Sequence, residues 1–416
     1  MTKNMRLVGV AALTLILCLP AQASDHVLTL SKAIELAVAG HDPSVTQYHV
    51  QAQSLREVAE AEEQLPDPRV RFGIANLATD TFKFNQEPMT QLQFGIHQSI
   101  PTKGRRRYQR ARSEANGDVF DQMAAARALM LTLETERLWL KLLNLQSTRG
   151  IVEGKKQSLD TLLDALSSQF ESGKTAAQKI LAMETELALL DDRLQVIEQN
   201  ENIVRAKLAR YIGDEAARHP VAGSYRDIVA PAALPVLEQS IGEHPDLRQE
   251  QARIRASEHS VSLAKENYKP NWGVDLGYGY RAAGRADFAS AMVTLDVPLF
   301  TAKRQDKRLS AARQSRQAAR LRLQAKELEM VKDIRAAHAM WHKSGDRIEL
   351  YETVVLQRAG SASEASENAY ASGTADFAEV IRTHLSELDA RLKLEAIRLE
   401  RALAQAQLNY YAGDRS

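Results

Sequence analysis

Proline is missing from two long stretches of this chain. All 12 prolines lie outside Thr102–His219 and Leu299–Ser416. Proline removes a backbone donor and clashes with the preceding turn, so stretches without it admit very long helices. Cysteine is nearly missing too. The single one, Cys18, sits in an N-terminal segment where Lys3 and Arg6 precede the apolar stretch Leu7–Leu19, then Pro20 and Ala21-Gln22-Ala23. A positive flank, a short apolar core and a small-x-small site predict a secretory signal peptide over residues 1–23, cut before Ser24. The stretch is too short to span a bilayer comfortably. A lipidated cysteine follows a small residue, and Leu17 precedes Cys18, which favours cleavage after Ala23. The mature chain then carries no thiol, which excludes disulfides and cysteine metal sites.

Other absences narrow the class further. Beyond Leu19 no apolar run approaches the roughly 18 residues of a spanning helix. Charge of one sign is not in excess: 26% of residues are charged, the formal net charge is +1, and acids and bases are mixed along the proline-free stretches. That balance gives no reason to expect nucleic acid as a partner. There is no glycine-rich phosphate loop, no nucleophile elbow and no His-Asp-Ser order, so an enzyme is not expected. No cofactor is implied.

What is present comes twice. Phe170-Glu171-Ser172-Gly173 answers Tyr370-Ala371-Ser372-Gly373, and Tyr211-Ile212-Gly213-Asp214 answers Tyr411-Ala412-Gly413-Asp414, both at an offset of about 200. Upstream, His41-Asp42-Pro43 answers Glu243-His244-Pro245, and Pro101 answers Pro298. This predicts an internal duplication far longer than the 20–50 residues of solenoid repeats. The first repeat is expected over 24–220 and the second over 221–416.

Each repeat mixes two periodicities. Thr29 to Ala37 reads as a short helix stopped at Gly40-His41-Asp42-Pro43, and a second helix runs over about Ser44–Gln64. From Lys103 to Phe170 the pattern is helical, with a turn at Ser172-Gly173 and a returning helix to about Tyr211. At 1.5 Å per residue such a helix is on the order of 100 Å long, a length that belongs to coiled coils and tubes. Helical hairpins are thus expected at 102–213 and 302–413, locally loosened at Gly150 and Gly154 in the first and at Gly345 and Gly360 in the second. Four segments alternate instead: about 69–77, 90–99, 271–281 and 289–298. The third is clearest, with Trp272, Val274, Leu276, Tyr278 and Tyr280 set against Gly273, Asp275, Gly277 and Gly279. Strict alternation marks a strand with one apolar and one polar face. Such strands suit a soluble hairpin, but also a tilted membrane strand of about nine to eleven residues with a wet lumen behind it. Four strands cannot close a barrel, and open edges are not tolerated in lipid, so membrane strands would have to be pooled between copies of the chain.

These residues carry a family resemblance. Leu28 to Ala37, Asp42-Pro43, Leu65-Pro66-Asp67-Pro68, Val297-Pro298-Leu299-Phe300 and Tyr370-Ala371-Ser372-Gly373-Thr374, in this order and duplicated, resemble the TolC family of outer-membrane efflux proteins, and within it the CzcC-like heavy-metal branch. The resemblance covers essentially the whole mature chain. It implies a mainly α fold with a small β part: long antiparallel helical hairpins forming an α-barrel, and four strands per chain in a homotrimeric, twelve-stranded outer-membrane β-barrel. It also implies a passive exit duct with a long periplasmic extension. The tube would dock on a periplasmic adaptor and an inner-membrane pump of the resistance-nodulation-division type, with heavy-metal cations as the cargo.

The same resemblance directs attention to particular residues. Tyr370, Asp376, Glu379 and Arg382 fall at or near the gate positions of the second hairpin tip, and Lys179 stands in the first tip where the family often has an acid. Lys179 is expected to pair with Glu379 or Asp376; a solvated charged face is the alternative for any one of them. Ser172, Gly173, Ser372, Gly373 and Thr374 mark the turns expected to meet the adaptor, unless they are turn residues alone. A basic cluster of Lys103, Arg105, Arg106 and Arg107, answered by Lys303 and Arg304, sits where strand becomes helix. It would meet outer-membrane lipid headgroups or the carboxylates of neighbouring helices. His338 and His342 are four apart on a helix but lack the glutamate that follows the first histidine in metalloproteases, and they read as surface or interface histidines; no metal site is assigned.

Two other classes compete. A periplasmic coiled-coil adaptor would carry one hairpin inside split β domains, and this chain has two hairpins. A structural coiled-coil protein without a membrane channel has no use for four alternating strands.

Overall fold

The computed structural model describes residues 27–173 and 175–413. The predicted signal peptide with Cys18, and Asp414 of the second Tyr-x-Gly-Asp landmark, lie outside them. In chain order the helices and strands are α1 (Leu30–Leu36), α2 (Ser44–Glu63), β1 (Arg69–Ala75), β2 (Gln91–Ile100), α3 (Lys103–Glu171), α4 (Ala177–Ile212), α5 (Asp214–Arg218), α6 (Leu234–Ser240), α7 (Pro245–Glu266), β3 (Asn271–Tyr280), β4 (Phe288–Asp296), α8 (Gln305–Leu350), α9 (Leu356–Ala371) and α10 (Phe377–Ala412). No helix among the described residues is long and apolar enough to cross a membrane.

The long helix α3 has 69 residues and the returning α4 only 36. At 1.5 Å per residue these are about 100 Å and about 54 Å long. The half of α3 nearer the strands is therefore flanked not by α4 but by α2 and α7. Ionic contacts stitch that seam: Arg110 pairs with Glu63, and Ser113 Oγ donates to Glu62 Oε2 at 2.6 Å. The second half of the chain repeats the plan, with α7 against α8 and α10 returning along α8 and α9.

Gly150 and Gly154 do not loosen α3, which runs through both without a break. A helical glycine costs about 1 kcal/mol relative to alanine, and buried Val152 and Lys155 on the same turns hold the helix closed. The second run does break. A five-residue π turn, Tyr351–Val355, separates α8 from α9 between Gly345 and Gly360. The second hairpin also begins at Gln305 rather than 302, because Thr301–Arg304 forms a turn first.

Two apolar clusters hold the helices together. One belts the midpoint around Trp139, which is fully buried with Leu28, Leu140, Leu208, Ile334 and Leu408. Trp139 Nε1 donates to Leu28 O at 2.9 Å, and Leu28 bridges Val221 in parallel, so the start of the described chain is tied to the segment after α5. The other runs down the hairpins through Val152, Leu159, Leu166, Met183, Leu190, Phe377, Val380 and Leu388.

The two Pro-marked entries into α2 and α7 use different side chains for one task. Asp42 Oδ1 accepts from Ser44 N at 2.8 Å, and His244 Nδ1 accepts from Asp246 N at 3.2 Å. Asp42 is buried and also pairs with Arg127. Burial alone would raise its pKa, but the hydrogen bonds from Ser44 and the charge of Arg127 outweigh it and bring the carboxyl down from 3.8 to about 2. A depressed carboxylate stabilises the fold fully above its ordinary value, and that stability is lost as pH falls through the folded value. Asp42→Asn should therefore cost about 2 kcal/mol at neutral pH. In denaturation curves measured across pH, the gap from the native chain should close as pH approaches about 2.

Candidate functional site

Three zones follow one another along the long axis: the sheet, the junction of strands and helices, and the hairpin tips. The sheet is antiparallel in the order β1-β2-β3-β4. Its register aligns Phe72, Phe94 and Tyr278 across three strands, and Trp272 with Leu295. All of these lie on one face, and that face is open: Phe72 is 78% exposed and Trp272 51%. Just past β4, Phe300 is 87% exposed.

The other face is polar and internally satisfied. Asp275 receives His97 Nδ1 at 3.0 Å and Thr294 Oγ1 at 3.2 Å. Arg71 reaches the same carboxylate from β1, passing over Gly95, its direct partner on β2. Glycines are required here by close approach. A Cβ on Gly273 would come 2.8 Å from the His97 ring, and one on Gly279 would come 1.8 Å from Gln91 Oε1. A concave space of about 920 Å³ opens over this face, lined in part by Arg69, Arg71, Gln93, His97, Asp275 and Ser290. A soluble sheet buries its apolar face and wets the polar one. Here the apolar face is exposed, and the polar face lines a hollow.

At the junction, Thr102 caps α3 by accepting from Arg105 N at 3.2 Å. Arg106 donates to Glu63 O at 2.7 Å, Arg107 stacks 4.8 Å over the Tyr108 ring, and Arg304 donates to Gln305. Among the described residues no carboxylate lies within ion-pair distance of Lys103, Arg105, Arg106, Arg107, Lys303 or Arg304. One turn further on, Arg110 and Arg112 are both paired. Neighbouring helices of the same chain therefore do not neutralise this basic cluster.

At the tips, Gly173 and Gly373 adopt φ of 69° and 75°, the left-handed conformation that glycine enters without penalty. Thr374 closes the second turn with N and Oγ1 both donating to Ala369 O, and Ser372 Oγ lies 3.1 Å from Thr374 Oγ1. Ser172 Oγ similarly donates to Gln169 O. Lys179 meets the second tip. Its Nζ is 3.5 Å from Asp376 Oδ1 and 5.2 Å from the Tyr370 ring centroid. Tyr370 packs on Phe377 and its hydroxyl points to Gln169 Oε1 at 3.4 Å. Lys179, Tyr370 and Asp376 thus come together across the two hairpins. Glu379 does not join them: it pairs with Arg382 one turn along α10, the nearer partner on its own helix face.

One group was not singled out from the sequence. Lys155, His384 and Glu387 are buried together between α3 and α10, with Lys155 Nζ 2.8 Å from Glu387 Oε2. Their signal is positional. Lys155 stands between Val152 and Leu159, and His384 is seven residues from Phe377, so both interrupt apolar stripes.

The chain thus joins long helical hairpins to a short antiparallel sheet whose apolar face is exposed. The outer membrane efflux protein family matches residues 236–414. Outer membrane protein TolC of Vibrio cholerae serotype O1 is 24% identical over 308 residues, 70% of each chain. The solved structure of CusC superposes with a TM-score of 0.79 at 13% identity, over 92% of this chain and 91% of that one. VceC, also from Vibrio cholerae, superposes with a TM-score of 0.76 at 17% identity, over 92% and 96%. The chain is thus similar to outer membrane efflux proteins in part of its sequence and in its fold.

The tip contacts generate a test. An exposed ion pair is worth about 0.2–1 kcal/mol, but every copy in an assembly contributes. Lys179→Ala is expected to raise both single-channel conductance in planar bilayers and the leak of bulky antibiotics into cells. Unchanged values of both would show that Lys179 does not help to close the tips.

Proposed function

We propose that the chain is the outer-membrane exit duct of a tripartite efflux system, acting as a homotrimer. The observation that carries this reading is the four-stranded sheet with an exposed apolar face, a polar concave face and two open edges. In lipid every backbone donor and acceptor must be paired, so only a closed barrel is stable there. Three copies supply twelve strands, β1 of one meeting β4 of the next. The helices below would continue as a periplasmic tube in which each copy contributes two hairpins, the product of an internal duplication over 24–220 and 221–416. A signal peptide over 1–23 would direct the chain to the periplasm.

The unpaired cations Lys103, Arg105, Arg107, Lys303 and Arg304, with Arg106, meet the headgroups of outer-membrane lipid, where each is worth about 1 kcal/mol near an anionic surface. Lys179, Tyr370, Asp376, Glu379 and Arg382 form the gate region, with Lys179 to Asp376 as the tie between hairpins. The turns at Ser172-Gly173 and Ser372-Gly373-Thr374 present the end of the tube to a periplasmic adaptor, behind which stands a resistance-nodulation-division pump. Heavy-metal cations are the proposed cargo, on the CzcC-like resemblance and the likeness to CusC.

Membrane fractionation and conductance test the duct. The full-length protein should enter the outer-membrane fraction, require detergent, migrate as a heat-modifiable trimer and form pores in planar bilayers. A soluble monomer released by osmotic shock would overturn the reading. Deleting the gene should sensitise cells to divalent heavy-metal cations, and unchanged tolerance would remove the cargo assignment while leaving the duct.

A further inference from the structure

Charge interrupts the apolar seam between the hairpins at one buried place. Val152 and Leu159 on α3 face Val380, Ile381 and Leu388 on α10, all buried. Among them stand Lys155, His384 and Glu387, exposed by only 7%, 6% and 7%. Burying charge costs several kcal/mol per ion unless each is paired and hydrogen-bonded, and here Lys155 and Glu387 satisfy one another. Lys155 Nζ donates to Glu387 Oε2 at 2.8 Å and lies 3.3 Å from His384 Nδ1. The other oxygen of Glu387 accepts from Arg391 at 2.5 Å. On the far side of the ring, His384 Nε2 is 2.6 Å from Glu367 Oε1 of α9, though off the line that a hydrogen bond needs. The node therefore ties α3 of the first hairpin to both arms of the second.

Other ionic ties between the hairpins are exposed. Lys179 to Asp376 and Arg193 to Asp389 both face solvent, where pairing is weak and screened by salt. The buried node is different in kind, because one of its members is a histidine, the side chain whose charge is most readily switched by mild acid. A neutral imidazole can offer Nδ1 as an acceptor to the Lys155 ammonium. A protonated one cannot, and it sets two cations 3.3 Å apart in a desolvated seam.

We propose that His384 is a pH-sensitive latch: while its ring is neutral it accepts from Lys155 and keeps the two hairpins docked, and when protonated it parts them and opens the duct. This rests on the reading of the hairpin tips as the gate of a channel.

The groups facing the ring give the direction. Burial lowers the His384 pKa below 6.5, and the charge of Lys155 on α3 lowers it further. Glu367 on α9 and Glu387 on α10 oppose this without reversing it. Arg391 is engaged with Glu387, and on the α4 side Arg193 is engaged with Asp389. For Glu387, burial would raise the pKa, but its bond to Lys155 and the charges of Lys155 and Arg391 hold the carboxyl below its usual range. It therefore stays ionised while His384 changes state. A docked state that binds a proton less readily than free histidine is most stable above 6.5 and weakens as pH falls below it.

Planar-bilayer recordings of the full-length protein test the latch. Open probability should rise about tenfold between about pH 7.5 and about pH 5, a coupling of ordinary size for a single bound effector. His384→Gln should stay at the low value throughout; a full acid response in this variant overturns the proposal. A second measurement keeps the native histidine. In the Arg193→Cys/Asp389→Cys variant, joined by a short reducible bis-thiol cross-linker, the acid response should vanish and return on reduction. Acid opening with the cross-link intact would also overturn the latch. A native protein that conducts at no pH would instead overturn the duct itself.

Discussion

The unpaired edges of the four-stranded sheet set the terms for the rest of the molecule. β1 and β4 each have one neighbour in the chain, and the face they share with β2 and β3 is covered with exposed aromatic and branched side chains. In water such a sheet invites aggregation; in lipid it would leave backbone groups without partners. Neither solvent suits one copy alone. The polar face adds its own demand, since Arg71, His97 and Thr294 converge on Asp275 only because glycines leave room for them. The strands therefore carry one apolar and one polar face, each with its own solvent demand.

The helices answer to a different economy. A helix of 69 residues has no core of its own, so α3 borrows partners in succession: α2 and α7 near the strands, the Trp139 belt at the middle, α4 and α10 towards the tips. Each partner covers one stretch of the apolar stripe. Where two hairpins meet, apolar packing supplies most of the adhesion, and the ionic contacts differ by burial. At the tips they are exposed and weak; at Lys155, His384 and Glu387 they are dry, and a change of one proton matters.

Much of this was legible in the sequence because it is local. Proline placement and alternating residues located the long helices and the strands to within a few residues, since both periods are written in the chain itself. The glycine turns at 173 and 373 were equally local. Pairings across the hairpins were not. Lys179 had two acids within reach on paper, and the structure puts it beside Asp376 because Arg382 already occupies Glu379. The Lys155 node was hidden because its members are more than 200 residues apart. Gly150 and Gly154 suggested a weak point that buried neighbours remove, and the actual interruption at Tyr351–Val355 carries no glycine or proline.

That interruption makes the two hairpins mechanically unequal. α3 is a continuous rod from the sheet to its tip, whereas the corresponding path through α8 and α9 contains one π turn, a point where an α-helix is locally underwound and yields first to bending. Force arriving at the tips, from a docking partner or from repulsion inside the seam, would be transmitted by the first hairpin and absorbed by the second. Compliance is thus assigned to one arm of the chain, and the other serves as the fixed post against which it swings.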